Sequence, residues 1–435
     1  MPSAAFYTLG CKVNQCESAA LAGAFAKAGF AIVQPGERAD VYVVNSCTVT
    51  ATGEKKSLRA LRRFRRQNPQ AIIALCGCLP QAFPKKAAAT LEADIVLGTK
   101  NRATVLGAVQ NALTGKSGRL VEIPPHSKDE PFEQLPAPHP TERTRAFLKI
   151  QDGCERECSY CIIPKARGPL RSRPLADLTA ELEALISAGY KEAVLSGVNL
   201  GCYGHEQGLT LTDAVRAACE TPGLTRLRLG SIEPDLLDMP AIASLAAHSD
   251  KLCNQFHLPL QSGCDQTLAR MRRRYTTEDY RRVAGLLREA FPGCAITTDL
   301  MTGFPGESER EHKTTLAFIQ EISFARAHIF CYSPRTGTPA AELPQQISPQ
   351  LAAQRAAEIT ALTTASRKEF LCSRVGKTYP VLFESFREGV SYGHTTCYTP
   401  VRVATASDLS NQVLPVHVTG FAEDDCTGAL STDEL

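Results

Sequence analysis

The sequence predicts an α/β protein in three parts: a parallel α/β domain, a (β/α) partial barrel, and a small terminal β-barrel. Three observations lead there. Over the first 110 residues, short apolar segments alternate with segments of helical period. The same rhythm resumes at Arg145, after a stretch rich in proline and charge. Beyond a long helical pattern, the chain ends in short alternating strands separated by turn residues.

In the first part AAFYTLG, DVYVVNS and AIIALCG read as strands, with helical segments such as SAALAGAFAKAGF between them. Strands alternating with helices imply a parallel sheet. Residues 117–143 read as a linker with little regular structure. Six strands follow: AFLKI, EAVLSG, RLRLGS, QFHLPL, AITTDLM and HIFCYS. The patterns between them are helical, as in TEDYRRVAGLLREAF, so six βα units form a closed or open barrel. A long helix spans about Pro349 to Cys372. TYPVLFES, YGHTTCYTPVRVA and QVLPVHVTGF then build the small barrel. The resulting division is 1–116, 117–143, 144–370 and 371–435.

With 435 residues and 43% hydrophobic content, the chain can bury several cores. It has no apolar run of about eighteen residues, so no membrane span is expected. MPSAAFYTLGCKVNQ lacks the basic and apolar regions of a signal peptide, and a cytoplasmic protein is expected. Seventeen cysteines are many for that compartment, where disulfides are rare, so metal ligation is the expected use of some.

Cys154, Cys158 and Cys161 stand at spacing C-x3-C-x2-C, just past the first barrel strand. Sites in parallel βα folds form at that end of the strands. Three thiolates can hold three irons of a 4Fe-4S cubane and leave the fourth open. A zinc site with a remote fourth ligand, or three ordinary buried cysteines, are the alternatives. A second trio has similar logic: Cys11, Cys47 and Cys78 each lie just past a strand of the first sheet. Neighbouring strands are about 5 Å apart, so the three thiols can converge at one sheet edge. Cys16 and Cys76 read as structural.

Along its whole length the chain resembles the methylthiotransferase family of radical S-adenosylmethionine enzymes. The matching residues are TLGCKVNQ at 8–15, NSCTVT at 45–50, GC at 77–78, the Cys154 loop, and RGPLRSRP at 167–174. SIEP at 231–234, HLPLQSG at 257–263, MRRRYT at 271–276 and TGFPGE at 302–307 continue the series. One departure is Pro80 in GCLPQ, where the family often has a small residue. The resemblance implies a radical 4Fe-4S cluster on Cys154, Cys158 and Cys161, and an auxiliary 4Fe-4S cluster on Cys11, Cys47 and Cys78. It implies two S-adenosylmethionine molecules per turnover, an electron donor such as flavodoxin or ferredoxin, a sulfur donor, and a terminal TRAM domain that holds RNA. CKVNQ resembles the branch acting on threonylcarbamoyladenosine beside the anticodon of tRNA. The isopentenyladenosine branch and the branch modifying an aspartate of a ribosomal protein are the alternatives, and a non-catalytic iron–sulfur sensor is a third reading.

No catalytic residue is expected beyond the cluster ligands. Ser231, Glu233, Gln261 and Arg173 are the cofactor-binding candidates. Arg167 and Arg171 join Arg173 as candidates for the cofactor carboxylate, the RNA backbone or the threonylcarbamoyl carboxylate, since arginine forks suit such anions. Arg272, Arg273 and Arg274 read either as a solvated helix end or as contacts. For RNA the candidates are Lys55, Arg59, Arg62, Arg63 and Arg66 on a one-sided basic helix, joined by Arg374 and Lys377. The terminal part carries four Lys/Arg against eight Asp/Glu, so its RNA contacts must rest on those two residues, on Arg402, or on stacking by Tyr392 and Tyr398.

Overall fold

Six short strands pair in parallel near the N-terminus: β1 (Ser3–Thr8), β2 (Ala31–Val33), β3 (Val41–Ser46), β4 (Ile72–Gly77), β5 (Ile95–Leu97) and β6 (Leu120–Glu122). Their order is β2-β1-β3-β4-β5-β6 in the computed structural model, which describes residues 1–116, 118–135 and 144–431. β3 reads VYVVNS and is buried at every position, as a central parallel strand must be when helices cover both faces. On one face Leu21, Phe25, Val105 and Val109 pack against Ala4, Val41, Val43 and Ala74. On the other, Leu61 and Phe64 of the basic helix Ala51–Gln67 meet Tyr42, Val44, Ile73 and Leu75.

β2, β5 and β6 escape the sequence reading because three residues carry no usable period. Within 117–143, read as a linker with little regular structure, β6 pairs with β5 and Gln81 Nε2 donates to Pro124 O at 2.9 Å; residues 117 and 136–143 lie outside the described residues. The sheet grows from β1 outward to β2 and then, on the other side, to β3. The loops leaving β1 and β3 stand at this switch point.

Further along run β7 (Arg145–Lys149), β8 (Gln151–Asp152), β9 (Arg171–Ser172), β10 (Glu192–Ser196), β11 (Arg226–Leu229), β12 (Gln255–His257), β13 (Ala295–Thr302) and β14 (Arg326–Cys331). The chain groups into two compact units. One holds Met1–Glu142, Lys149–Arg173 and Ser333–Glu342; the other holds Arg143–Leu148, Pro174–Tyr332 and Leu343–Leu435. The first unit thus includes β8 and β9, an antiparallel pair framing the Cys154 loop.

In the second unit, β7, β10 and β11 form one sheet and β12, β13 and β14 another. Parallel bridges Leu227↔Leu252 and Ser231↔His257 join them into an open barrel of six strands. Helix starts are well specified: Thr210 with Asp213, Thr276 with Asp279 and Ser308 with Glu311 each form a capping box. The helix Pro349–Cys372 spans the residues expected of it. β15 (Thr378–Arg387), β16 (Val390–Thr395), β17 (Pro400–Ala404), β18 (Val413–Ala422) and β19 (Asp425–Leu430) then close a barrel in the order β15-β16-β17-β19-β18. Closure removes the strand edges. Among the described residues no helix is long and apolar enough to cross a membrane.

Charge joins the two barrels of the second unit. Glu192, at the start of β10, is buried and pairs with Arg226 at 2.9 Å and Arg228 at 2.7 Å. Arg226 donates to Thr395 O at 3.0 Å and Arg228 to Thr396 O at 2.9 Å, carbonyls of the β16–β17 turn. Burial alone would raise the Glu192 carboxyl; Arg228 and Arg226 overcome this and hold it at about 2. Glu192→Gln leaves two guanidiniums buried without their counter-charge, at a cost of about 3–5 kcal/mol. We expect a lower denaturant midpoint at neutral pH. Because the wild-type carboxylate contributes fully above its ordinary value of 4.5 and is lost as pH falls toward about 2, the gap between the two proteins should narrow across that window.

Candidate functional site

The first cysteine trio assembles at the switch point. Cys11 caps the N-terminus of helix Lys12–Lys27 beyond β1, Cys47 follows β3, and Cys78 opens the helix Cys78–Ala82 beyond β4. Two glycines make the turns. Gly10 has φ +107° and Gly77 has φ +96°, a region side chains rarely adopt. A Cβ on Gly10 would lie 3.0 Å from Cys47 Sγ, so the close approach of the Cys11 and Cys47 loops requires glycine. Asn14 ties the same loops together by donating to Leu9 O at 2.8 Å and to Ser46 O at 3.1 Å. Pro80 is accommodated in the first turn of its short helix, where no intrahelical donor is needed.

Arg167 is the group that meets this trio. Its Nε donates to Cys78 Sγ at 3.3 Å, and its Nη2 to Asn14 Oδ1 at 2.5 Å. Nη1 pairs with Glu17 at 2.5 Å and with Asp152 at 3.3 Å. Lys149 bridges the same carboxylates at 2.9 and 2.5 Å, and Arg102 reaches Glu17 at 3.1 Å and also pairs with Glu133. Arg171 pairs with Glu130 at 3.2 Å and with Asp152 at 3.5 Å. Burial would raise the Glu17 carboxyl, yet Arg102, Arg167 and Lys149 together hold it at about 2. Burial pushes the Cys78 thiol up to about 11, with Arg167 opposing. Burial likewise raises Cys47, reinforced by Cys11.

This corrects the reading of Arg167 and Arg171 as anion receptors for substrate or cofactor. Both are buried and committed to internal carboxylates. The sequence reading also missed Asn14 and Glu17. Their signal was present: both occupy the buried stripe of helix Lys12–Lys27 shared with Val13, Leu21 and Phe25, where polar residues are out of place.

The second trio lies between β8 and β9. Gly153 has φ +75°, and a Cβ there would lie 1.7 Å from Pro169 O, so the strand can enter the loop only through glycine. Cys154 N donates to Gly168 O at 3.1 Å and Cys161 N to Cys158 O at 3.0 Å, folding the loop back on itself. Arg173 follows β9, half-buried, with its backbone N–H on Ile150 O at 2.8 Å. All seventeen cysteines are free of disulfides. Among the described residues no three His, Cys, Asp or Glu side chains are set for a single metal ion. A cubane binds its three thiolates on three different irons and asks for a wider spacing. Three thiols gathered from three strand ends, and three more in one tight loop, are donor sets of that kind.

In the second unit Ser231 is exposed at a strand end and bridges to His257. Glu233 is held by Arg273, which also donates to Tyr275 Oη at 3.0 Å and stacks on its ring. Arg273 is therefore part of the fold rather than a solvated helix end. Gln261 stands out: it is buried with φ +68°, and its side-chain oxygen accepts no hydrogen bond among the described residues. Strain and an orphaned acceptor at one strand end mark a place for a ligand donor. In TGFPGE, Glu307 closes the turn, accepting from Gly303 N at 2.7 Å and Arg355 at 3.0 Å.

The basic helix exposes Lys55, Lys56, Arg59, Arg62, Arg63 and Arg66. Arg62 makes a surface pair with Glu92 at 3.2 Å, and Arg63 lies over the rings of Tyr7 and Phe64. Arg65 is tied to Asp94 at 2.7 Å. In the terminal barrel Lys377 is exposed, but Arg374 is not an RNA contact: it is buried, bonded to Gly293 O at 3.0 Å and stacked on Phe370. Tyr398 is also engaged, stacked on His394 with Arg145 and Arg228 over its ring.

Comparison with known proteins adds the following. The family described as "Uncharacterized protein family UPF0004" matches residues 3–98, and the Radical SAM superfamily matches residues 148–319. The threonylcarbamoyladenosine tRNA methylthiotransferase MtaB of Bacillus subtilis (strain 168) is 38% identical over 431 residues, covering 96% of this chain and 94% of that one. Its namesake in Thermotoga maritima is 39% identical, covering 77% and 76%. The tRNA-2-methylthio-N(6)-dimethylallyladenosine synthase of Pelotomaculum thermopropionicum is 33% identical, covering 97% and 96%. Among solved structures, the radical S-adenosylmethionine methyltransferase TsrM from Kitasatospora setae shares the fold, with TM-score 0.57 at 15% identity over 78% of this chain and 74% of that chain.

Removing the guanidinium of Arg167 leaves Glu17 and Asp152 short of positive charge in a buried site. Arg167→Met should lower stability by about 3–5 kcal/mol, read as a shift in denaturant midpoint. Arg167→Lys keeps the charge without the fork and should recover about half of that loss.

Proposed function

Because this chain belongs to the family of radical S-adenosylmethionine tRNA methylthiotransferases, we propose that it converts N6-threonylcarbamoyladenosine beside the tRNA anticodon to its 2-methylthio derivative. The observation that carries the reading is the convergence of Cys11, Cys47 and Cys78 beside Arg167, a residue of the segment that also holds Cys154, Cys158 and Cys161. The branch is chosen by the relatives in Bacillus and Thermotoga, which match better than the dimethylallyl relative.

In this reading Cys154, Cys158 and Cys161 ligate a radical 4Fe-4S cluster, and Cys11, Cys47 and Cys78 an auxiliary one. When bound, the clusters and two S-adenosylmethionine molecules would relay an electron and supply a deoxyadenosyl radical and a methyl group, with the donated sulfur held at the auxiliary cluster. Gly10, Gly77 and Gly153 make the turns that aim the thiols. Arg167 opposes the negative charge that collects when the trio ionises. Gln261, Glu233, Ser231 and Arg173 bind the cofactor, with the Gln261 oxygen accepting from it. The exposed cations of helix Ala51–Gln67, together with Lys377, bind RNA phosphates. The adenine leaves its stack to reach the site. Residues 1–116, 144–370 and 371–435 act as cluster-binding, radical and TRAM domains, joined through 117–143. The enzyme works in the cytoplasm with an electron donor such as flavodoxin or ferredoxin and with a separate sulfur donor.

The purified, reconstituted enzyme should be offered two anticodon stem-loops, one carrying threonylcarbamoyladenosine and one isopentenyladenosine. Nucleoside mass spectrometry should find methylthio product from the first only; product from the isopentenyl form alone would place the enzyme in the other branch. In the same assay Cys47→Ala should retain some cleavage of S-adenosylmethionine but form no product.

The basic helix is tested by salt. Replacing Lys55, Arg59 and Arg66 with glutamate removes three exposed cations that have no internal partner among the described residues. Affinity for tRNA should fall, and the slope of log affinity against log salt should flatten by roughly two to three. An unchanged slope would make this helix an ordinary solvated face.

A further inference from the structure

A short stretch after β14 does not group with its neighbours in the chain. The residues up to Tyr332 and from Leu343 belong to the second unit, whereas Ser333–Glu342 is part of the first. Its sequence, SPRTGTPAAE, has the prolines, glycine and hydroxyls of an exposed turn, where an arginine would be expected to face water. Pro334, Thr336, Gly337 and Pro339 are indeed exposed, but Arg335, Thr338 and Ala340 are buried. The turn closes on one carbonyl. Thr338 N donates to Arg335 O at 3.0 Å and Thr338 Oγ1 to the same oxygen at 2.8 Å, with Gly337 at φ +84°. This closure fixes the backbone of Arg335 and leads directly into the short helix Pro339–Glu342.

The inward groups of this stretch reach both cysteine sites. Arg335 Nη2 donates at 2.7 Å to the hydroxyl of Thr48, the residue after Cys47. The same guanidinium pairs with Glu54 and lies over the ring of Phe83, 5.1 Å from its centre. Phe83 ends the short helix that Cys78 opens, and packs against the cluster of Cys78, Ala82, Ile162 and Ala166. Ser333 Oγ accepts from Ala51 N at 3.1 Å, which satisfies one of the open donors at the start of the basic helix. At the other end of the stretch, Ala340 N donates at 2.8 Å to the carbonyl of Ser159, the residue after Cys158. One short segment thus touches the loops of Cys47, Cys78 and Cys158.

A loop that only needed fastening could use apolar or neutral groups. Burying a guanidinium is costly unless its charge is met, and here Glu54 shares its carboxylate between Arg335 and Lys86. The planar fork lets one side chain meet a hydroxyl and a carboxylate while its flat face covers an aromatic ring, which a lysine cannot do. We propose that Ser333–Glu342 is a brace between the two cysteine trios, and that Arg335 is a positioning residue that fixes where the Cys47 and Cys78 loops stand relative to the Cys158 loop. The inference rests on the methylthiotransferase reading, in which one adenine is served from both trios, so that their separation bears on the transfer.

The test uses full-length reconstituted protein and reads iron content, the magnetic coupling between the two reduced clusters by electron paramagnetic resonance, and kinetics with the modified stem-loops. Arg335→Met should keep its iron and its cleavage of S-adenosylmethionine but broaden the coupling spectrum. Its kcat for methylthio product should fall by about tenfold or more, while KM for the stem-loop moves by less than about twofold. Arg335→Lys, which restores the charge without the fork, should recover part of both changes. Thr48→Val removes one acceptor of the same contact at nearly constant shape, and should move spectrum and kcat in the same direction, less far. A folded, iron-loaded Arg335→Met with the wild-type spectrum and full kcat would overturn the proposal. If Arg335→Met loses iron or does not fold, Thr48→Val decides, and a wild-type spectrum and kcat there would overturn it. Equal loss of product and of S-adenosylmethionine cleavage, with an unchanged spectrum, would confine Arg335 to the radical site and also overturn it. A wild type that makes no methylthio product from either stem-loop sinks the enzyme reading, and the spectra alone then decide the brace; a wild type that holds a single cluster overturns both.

Discussion

Everything in the first unit depends on a buried set of ions centred on Arg167. Arg102, Lys149, Arg167 and Arg171 face Glu17, Glu130, Glu133 and Asp152. The formal charges cancel, and none of the eight could be left behind cheaply, because an isolated ion in such a place is strongly disfavoured. Their positions in the chain are far apart. Helix Lys12–Lys27, the start of helix Thr104–Leu113, the 130–133 segment, β8 and the residues before β9 must all arrive for the sum to close. The set therefore works as a specification: it admits one arrangement of segments, and in that arrangement Arg167 lands on Cys78. The apolar cores on either side of the sheet supply stability, while the ions decide which loops lie together.

The second unit uses the same device at another place. Glu192 with Arg226 and Arg228 sits at the N-terminal ends of barrel strands, and the arginines spend their remaining donors on carbonyls of the terminal barrel. Ligand sites of parallel barrels lie at the other end of the strands. The ionic joint thus lies at the opposite strand ends from Gln261. In the acidic terminal barrel Arg374, one of the cations singled out in the sequence, fastens it to Gly293 and Phe370.

The legible parts of the sequence were those with a period. Every strand of four or more residues in the N-terminal sheet and the open barrel was visible as an apolar run, and the helix Pro349–Cys372 had clear bounds. β2, β5 and β6 were hidden by their shortness. The cysteine trios were legible because strand ends could be located, and in a parallel sheet equivalent ends lie together. What sequence could not show was whether an arginine faces outward. Arg63, Arg65, Arg167, Arg171, Arg273 and Arg374 look alike as letters. Only the carboxylates, carbonyls and rings around them separate a receptor from a strut, and those partners come from distant segments.

That difference gives a rule for judging polar residues found at apolar positions. Asn14 and Glu17 on their helix, and Gln261 beyond its strand, are buried polar side chains that break the local pattern. In the first case the account closes inside the protein: the carboxylate of Glu17 meets guanidinium and ammonium groups and is fully buried. In the second it does not close. The buried oxygen of Gln261 accepts nothing among the described residues. A buried polar atom without a partner costs free energy, so its retention calls for an explanation. Open polar groups on rigid strands are what a binding site requires before its ligand arrives, because preorganised donors lose little on binding. The closed set builds the scaffold, and the open acceptor is a place that a ligand donor can fill.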